Sequence, residues 1–312
     1  MTLRGQPLRP GDTVALTAPS GLLKEPALLE RAEALLRGFG FQVRVGASCR
    51  AGRGYLAGDD ALRAGDLNAC FADPAVRAIV CLKGGYGVLR LLERLDYPAI
   101  ARNPKALVGY SDITALHLAL NQRCGLATLH GPMATSAALL EGDPYSVRSW
   151  LAALTSAVPL GFLAPPAGAP ALRPLAPGSA RGPLAGGNLA TLAATLGTPF
   201  ELDARGRILF LEDIDERPYK VDRMLTQLRL AGKFRDCAGI LLGDWNNCVP
   251  DPGEASLSLE EVFQDLLVPA GKPILAGFPA GHCVPNATFP LGVEAVLDAQ
   301  AGTVEVVEAA LG

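Results

Sequence analysis

The chain has 312 residues, of which 49% are hydrophobic, with a formal net charge of −3 and a pI near 5.7. This composition supports a large core in one or two domains, and the absence of a basic run interleaved with aromatics argues against a nucleic-acid partner. No run of about 18 apolar residues is present, and segment 1–21 lacks the apolar centre of a secretion signal, so we expect a cytoplasmic protein without a membrane span.

Apolar runs alternate with helical patterns through the first half of the chain. This alternation predicts an α/β fold with a doubly wound parallel sheet and a functional site at the carboxyl ends of its strands. The runs expected to form strands are 12–18, 41–45, 76–82, 105–109 and 126–130. The patterns expected to form helices are 25–40, 59–72, 88–95 and 112–123.

A proline-rich segment interrupts this pattern, since seven of the 25 prolines fall within residues 159–183. We predict a linker or surface crossover there, between an N-terminal Rossmann-like domain (1–158) and a smaller C-terminal α/β domain (184–312). The elements expected after it are strands at 207–212, 238–245 and 272–277, helices at 187–197, 217–231 and 257–267, and a closing hairpin at 295–308.

Ser111 stands in the sequence Gly-Tyr-Ser-Asp, where the predicted strand 105–109 gives way to the helical pattern 112–123. A serine at such a bend projects its hydroxyl beyond the sheet edge, where the first helix N–H groups stabilise negative charge. That placement suits a nucleophile. The alternative is a serine that caps the helix, and Ile113 occupies the place where the usual hydrolase elbow has a second glycine.

A serine nucleophile requires a base, and the chain has three histidines. His117 lies inside the helical pattern 112–123 and is expected to be a packed or surface residue. His130 ends an apolar run and is placed to line a site. His282 lies in a loop rich in Gly and Pro, and such loops carry function more often than core. For either of the last two, the alternative is a polar residue bonded to a nearby carbonyl.

Four acids follow the apolar run 208–211, namely Glu212, Asp213, Asp215 and Glu216. A carboxylate at the end of a strand is placed to hold an imidazole in one tautomer and to stabilise its protonated form, and Glu212 is the best placed of the four. We expect the other three to form a solvated turn. The acids have no histidine or cysteine at ligand spacing nearby, so no metal is expected.

The turn Lys-Gly-Gly-Tyr-Gly at residues 83–87 follows a predicted buried strand and precedes a helical pattern. Its backbone N–H groups suit an anion. Neither G-x-G-x-x-G nor the Walker pattern is present, so nucleotide binding is poorly supported.

Seven cysteines, an odd number without C-x-x-C spacing, predict reduced and mostly buried thiols. Cys283 adjoins His282, which raises the alternative of a cysteine nucleophile. The side chains of adjacent residues in an extended loop usually point apart, and this disfavours the alternative.

Seven motifs, spread over nearly the whole chain, together resemble the LD-carboxypeptidase family of serine peptidases. They are found, in the family's order, at 10–21, 83–92, 109–116, 129–133, 186–189, 211–223 and 281–286. The resemblance implies Ser111 as the nucleophile, Glu212 as the orienting acid and His282 as the general base.

The same resemblance implies an oxyanion hole formed by the amide of Asp112 together with that of Gly84 or Gly85. One position departs from the family pattern, because Lys83 stands where an arginine is usual. Lysine lacks the planar fork with which arginine grips a carboxylate.

The family's activity is hydrolysis of the amide bond before the terminal D-alanine of a murein tetrapeptide during cytoplasmic peptidoglycan recycling. The resemblance implies this muropeptide as partner, no cofactor, and a homodimer. It leaves open whether the third residue of the peptide is lysine, ornithine or diaminopimelate. One alternative is a microcin-C-type self-immunity peptidase, which uses the same triad on aminoacyl or peptidyl nucleotide analogues. The other is a non-catalytic small-ligand binding protein in which Ser111 is only a helix cap.

Overall fold

The computed structural model describes residues 2–312, which form two sheets flanked by helices. The strands are β1 (Thr13–Thr17), β2 (Gln42–Val45), β3 (Val76–Cys81), β4 (Ala106–Gly109), β5 (Thr128–His130), β6 (Gly161–Phe162), β7 (Arg173–Ala176), β8 (Ser179–Asn188), β9 (Ile208–Ile214), β10 (Gly239–Asn246), β11 (Ile274–Ala276), β12 (Phe289–Leu291), β13 (Glu294–Asp298) and β14 (Thr303–Val306). The α-helices are α1 (Pro26–Gly38), α2 (Asp60–Ala72), α3 (Tyr97–Arg102), α4 (Thr114–Cys124), α5 (Ala137–Leu140), α6 (Pro144–Thr155), α7 (Leu189–Thr195), α8 (Pro218–Leu230), α9 (Lys233–Asp236) and α10 (Leu259–Leu266).

The first sheet has the strand order β12-β5-β4-β3-β1-β2. Its five strands from the first half of the chain are parallel, which confirms the predicted doubly wound sheet. The sixth strand, β12, comes from the second half and pairs antiparallel with β5, so that Phe289 lies opposite His130. Because β12 begins beside the carboxyl end of β5, the loop that precedes it is delivered to the same sheet edge as the end of β4.

The second sheet has the order β6-β14-β13-β8-β9-β10-β11-β7. Its central strands β8 to β11 are parallel and are extended by antiparallel strands on both sides. The predicted closing hairpin is confirmed as β13 and β14. The proline-rich segment supplies both edge strands, β6 and β7, and a proline at an edge does not interrupt the ladder of a central strand.

One predicted helix has a different form. Residues Val88–Arg94 form a 3₁₀ helix, although their leucines have the spacing expected of an α-helix. Residues three apart are neighbours on the surface of both helix types, so apolar spacing over two turns does not distinguish them.

A shared apolar core joins the two sheets. It contains Val108 and Leu129 from the first sheet together with Phe210 and Leu241 from the second, all almost fully buried. A hydrogen bond of 3.0 Å from the Asn188 amide to the Thr114 hydroxyl adds a polar contact between β8 and the first turn of α4. The carboxyl end of β4 therefore faces the carboxyl ends of β8 and β9.

Candidate active site

Ser111 occupies the bend between β4 and α4 with a φ of +64°. This left-handed conformation costs a residue with a side chain on the order of 1 kcal/mol. Ser111–Ile113 form one 3₁₀ turn before α4 begins at Thr114, and the serine side chain caps neither helix. The helix-cap interpretation of Ser111 is therefore wrong.

Glu212 and His282 are brought into direct contact at the end of β9. The two side chains form a hydrogen bond of 2.7 Å between Nδ1 of His282 and Oε2 of Glu212. Glu212 is completely buried, whereas the His282 side chain is 13% exposed. The contact leaves Nε2 of His282 as the ring nitrogen available to a reacting group.

The electrostatic environment of His282 favours its protonated form. Burial by itself lowers the pKa of the imidazole, but the hydrogen bond and charge of Glu212, with smaller contributions from Asp213 and Asp244, raise the pKa above its ordinary value. An imidazole surrounded in this way is stabilised when it takes up a proton.

Two neighbours hold His282 in place. The Tyr110 ring packs edge-on against the imidazole, with 4.8 Å between the ring centroids. The Asn246 side chain donates a hydrogen bond of 2.6 Å to the backbone carbonyl of His282. Because Tyr110 precedes Ser111 in the chain, this packing brings the histidine next to the serine bend.

The glycine turn lies against the serine hydroxyl. A Cβ atom placed on Gly84 would be only 3.1 Å from Oγ of Ser111, and Gly85 has a φ of +131° that favours glycine. Within residues 2–312, the amides of Gly84, Gly85 and Asp112 donate no backbone hydrogen bond across turns or loops. These N–H groups are thus available to a ligand beside Ser111.

A cleft of about 480 Å³ opens beside the Ser111 bend and lies between the two halves of the chain. Its first wall carries Ser111 and the exposed side chain of Tyr86. The opposite wall is formed by residues from the ends of β8 and β9 and from α7, which are Asn188, Ala190, Thr191, Ala194, Asp213, Ile214, Asp215 and Glu216.

Asp213 is not part of a solvated turn, so that prediction is wrong for this residue. Its side chain is 2% exposed and accepts hydrogen bonds from the Asn188 side chain at 2.7 Å and the Ala190 amide at 2.9 Å. Burial raises the pKa of Asp213 to about 6, against the opposing effect of these donors. Asn188 was not predicted as a cleft residue, although the motif Gly-Gly-Asn-Leu at 186–189 was the signal that marked it.

The other two histidines lie in the core. His117 is fully buried and its Nε2 bonds the Gly109 carbonyl at 2.9 Å, which confirms it as a packed helix residue. His130 is also fully buried, between the rings of Phe210 and Phe289. The expectation that His130 lines a site is therefore wrong, because its place at the end of β5 is covered by the shared core.

The side chains of Lys83 and Cys283 are both partly buried. The Lys83 ammonium donates to the Leu22 carbonyl at 3.3 Å, and burial lowers its pKa. Burial likewise raises the pKa of Cys283 to about 12, so its thiol is protonated at neutral pH and is a poor nucleophile. Across residues 2–312, no cluster of three or more His, Cys, Asp or Glu side chains is arranged to hold a metal ion. In the same residues no helix has the length and hydropathy required to cross a bilayer.

The fold and family comparisons define a hydrolase of the peptidase class. A family described as LD-carboxypeptidase N-terminal domain matches residues 14–131, and one described as LD-carboxypeptidase C-terminal domain matches residues 181–297. These matches span most of the sequence. The chain therefore belongs to the LD-carboxypeptidase family, Peptidase S66, as its motifs predict.

Relatives and solved structures agree with this assignment. A probable murein peptide carboxypeptidase of Bacillus subtilis is 45% identical over 93% of this chain and 90% of its own length. A murein tetrapeptide carboxypeptidase of Pseudomonas aeruginosa is 36% identical over 91% of this chain and 92% of its own. Among structures, MccF in complex with glutamyl sulfamoyl guanosine superposes with a TM-score of 0.91 at 27% identity, covering 99% of this chain and all of that chain. Muramoyltetrapeptide carboxypeptidase from Oxalobacter formigenes superposes with a TM-score of 0.80 at 29% identity, covering 94% of this chain and 97% of that chain.

Proposed function

We propose that the protein is a serine-type L,D-carboxypeptidase that removes the terminal D-alanine from a cytoplasmic murein tetrapeptide. The observation that carries the proposal is the buried contact of 2.7 Å between Glu212 and His282, beside the bend that presents Ser111. The substrate is supported by relatives named for murein peptides at 36% to 45% identity over nine-tenths of the chain.

In the acylation step, Oγ of Ser111 attacks the carbonyl carbon of the scissile amide. Nε2 of His282 takes the hydroxyl proton, and the buried carboxylate of Glu212 stabilises the imidazolium through Nδ1–H. The imidazolium then donates this proton to the departing nitrogen. D-Alanine leaves as the free amine, and the remaining peptide is held as an ester of Ser111.

The negative charge on the carbonyl oxygen is stabilised by backbone donors. We assign this role to the amide of Asp112, which follows Ser111 in the chain, and to that of Gly84 or Gly85, in the turn that approaches Ser111 at Gly84. None of the three donates a backbone hydrogen bond across turns or loops within residues 2–312. Removal of one such donor lowers turnover by roughly a hundredfold to a thousandfold in enzymes of this type. Water, activated by the same histidine, then hydrolyses the ester and regenerates the serine.

A second candidate function is cleavage of aminoacyl or peptidyl nucleotide analogues. It is supported by the TM-score of 0.91 with MccF in complex with glutamyl sulfamoyl guanosine. The higher sequence identity with the murein peptide carboxypeptidases favours the first candidate.

One experiment separates the two candidates. The purified protein is incubated with a murein tetrapeptide and, in parallel, with an aminoacyl sulfamoyl-adenylate, and the products are followed by mass spectrometry. We expect D-alanine to be released from the tetrapeptide alone, and no release by the Ser111→Ala variant. Cleavage of the nucleotide analogue alone would favour the second candidate and contradict the first.

A further inference from the structure

The carboxylate of Asp112 ties together the segments that surround the serine. It is 7% exposed, and its Oδ2 accepts a hydrogen bond of 2.5 Å from the Ser20 hydroxyl and one of 3.1 Å from the Val88 amide. Ser20 belongs to the loop after β1, and Val88 follows the glycine turn. One buried oxygen atom thus joins both loops to the bend that carries Ser111.

A second tie is made by the buried guanidinium of Arg63 in α2. It donates to the Pro19 carbonyl at 2.6 Å and to the Gly87 carbonyl at 3.1 Å, and its charge is paired with Asp60 at 2.6 Å. Arg63 therefore holds the same two loops that Asp112 holds, through their backbone carbonyls.

These ties act on a segment with little stiffness of its own. Gly85 and Gly87 have φ values of +131° and +114°, and glycine moves between such conformations at low cost. The turn also contacts the first loop through a weak hydrogen bond of 3.3 Å, from the Gly21 amide to the Gly84 carbonyl. Its orientation toward Ser111 therefore depends on groups outside the turn.

We propose that the Asp112 side chain is a positioning residue that fixes the amides of Gly84 and Gly85 toward the Ser111 hydroxyl. This inference rests on the proposed function. In that function only the backbone amide of Asp112 has a role, and here its side chain has one as well. Burial of a carboxylate is costly and raises the pKa of Asp112. An apolar residue would fill the space at lower cost but would lose both hydrogen bonds that join these loops to the serine bend. A displacement of about 1 Å at a reacting group is enough to cost about a hundredfold in rate.

The test uses Asp112→Leu, which branches at the same carbon but has no oxygen to accept either hydrogen bond, and Ser20→Ala, which removes one donor. The matched control is Asp66→Leu, because Asp66 also accepts a backbone hydrogen bond, from the Ser48 amide at 2.7 Å, and does not line the cleft. The two readouts are amide hydrogen exchange of segment 84–88, followed by mass spectrometry, and kcat and KM for release of D-alanine from the tetrapeptide.

We expect faster exchange of segment 84–88 in Asp112→Leu and Ser20→Ala, and normal exchange there in Asp66→Leu. For Asp112→Leu we expect kcat to fall by about a hundredfold with little change in KM, since a lost transition-state interaction lowers kcat without weakening ground-state binding. Unchanged exchange, or a kcat equal to that of Asp66→Leu, would overturn the proposal. If the wild-type protein releases no D-alanine, the proposed function fails. The exchange measurement still supports or overturns the role of the Asp112 side chain in holding the glycine turn.

Discussion

Different features of the structure determine the orientation or the charge state of Ser111, Glu212 and His282. For Ser111 the feature is the backbone, since a φ of +64° turns its side chain away from a capping position. Glu212 is set by burial, and one of its oxygens, Oε1, has no hydrogen-bond partner within residues 2–312. Burial lowers the pKa of His282, but the hydrogen bond and charge of Glu212, together with the charges of Asp213 and Asp244, outweigh this effect and raise the pKa. Each of these differences gives a prediction for a single substitution.

Replacement of Ser111 by alanine should abolish turnover, by at least about a thousandfold, because no other group supplies the attacking oxygen. The free energy of unfolding should change by less than about 1 kcal/mol, since the hydroxyl caps no helix. D-Alanine release and urea denaturation measure the two quantities. Turnover equal to that of the wild type would exclude a serine mechanism.

Replacement of Glu212 by glutamine should shift the pH profile of kcat/KM. In the wild type, the rate should fall as pH decreases through the raised pKa of His282, because the protonated imidazole cannot accept the serine proton. The variant lacks the charge that raises this pKa, while burial still lowers it. The acidic limb of the profile should therefore lie at lower pH than in the wild type, and the maximum rate should also be lower. An acidic limb at the same pH would contradict the pairing of Glu212 with His282.

The core histidine His130 provides the comparison for the base. We expect His282→Ala to lower kcat by about a thousandfold or more, as loss of one triad member forfeits most of what the three provide together. His130→Gln should retain turnover but lose stability, because it places an amide among the rings of Phe210 and Phe289. Both variants are assayed at one pH. If His130→Gln were the more damaging to kcat, the base would have been assigned to the wrong residue.

At the scale of elements, the loop between β11 and β12 is central to the site. The pairing of β12 with β5 fixes its far end, and the contact of His282 with Glu212 at the end of β9 fixes its middle. Gly281 allows that contact, since a Cβ atom there would lie 2.7 Å from Oε2 of Glu212. Its φ of +124° also favours glycine.

Two glycines of this loop form a matched pair for testing. Gly281→Ala should lower kcat by about a hundredfold, because the new methyl group must displace the carboxylate that orients the base. Gly277→Ala also places a side chain at a positive φ, +85°, but its methyl group would enter open space. This control should lose stability without a comparable loss of kcat. Equal effects on kcat in the two variants would show that strain alone is responsible.

At the scale of the whole molecule, two histidines buried in the core make the stability of the fold sensitive to acid. His117 and His130 are both fully buried, and burial lowers the pKa of His117 to about 4 and that of His130 well below its ordinary value. Both side chains are therefore neutral in the folded protein at pH 5 to 6, where the unfolded chain binds protons at these positions.

The contribution of His117 should appear in a comparison with His117→Gln, whose amide can donate to the same Gly109 carbonyl. The unfolded pKa is about 6.5 and the folded pKa about 4, so stability from this residue is complete above pH 6.5 and is lost as pH falls toward 4. Relative to the variant, the wild type should lose about 3 kcal/mol over that interval. Urea denaturation at pH 7, 5.5 and 4.5 measures the difference, and parallel pH dependences would contradict it.

Much of the architecture was determined by local sequence. Alternating apolar runs and helical patterns specify buried parallel strands and their crossover helices. A continuous apolar run must bury both of its faces, an amphipathic helix must bury one, and a crossover helix between two strands makes those strands parallel. The positions of Ser111, Glu212 and His282 at the ends of strands or in a Gly-rich loop follow from the same patterns, and the motifs that contain them identified the family.

Tertiary structure decided what depends on distant partners. The apolar sequence around His130 does not indicate what covers its ring, which is buried by Phe289 of β12 and Phe210 of β9. Asp213 became a buried acceptor because β8 delivers Asn188 beside it, and the Asp112 carboxylate acquired its partners from two loops far away in the chain. Such contacts leave no periodic signal in the sequence, because they join residues whose separation along the chain is arbitrary.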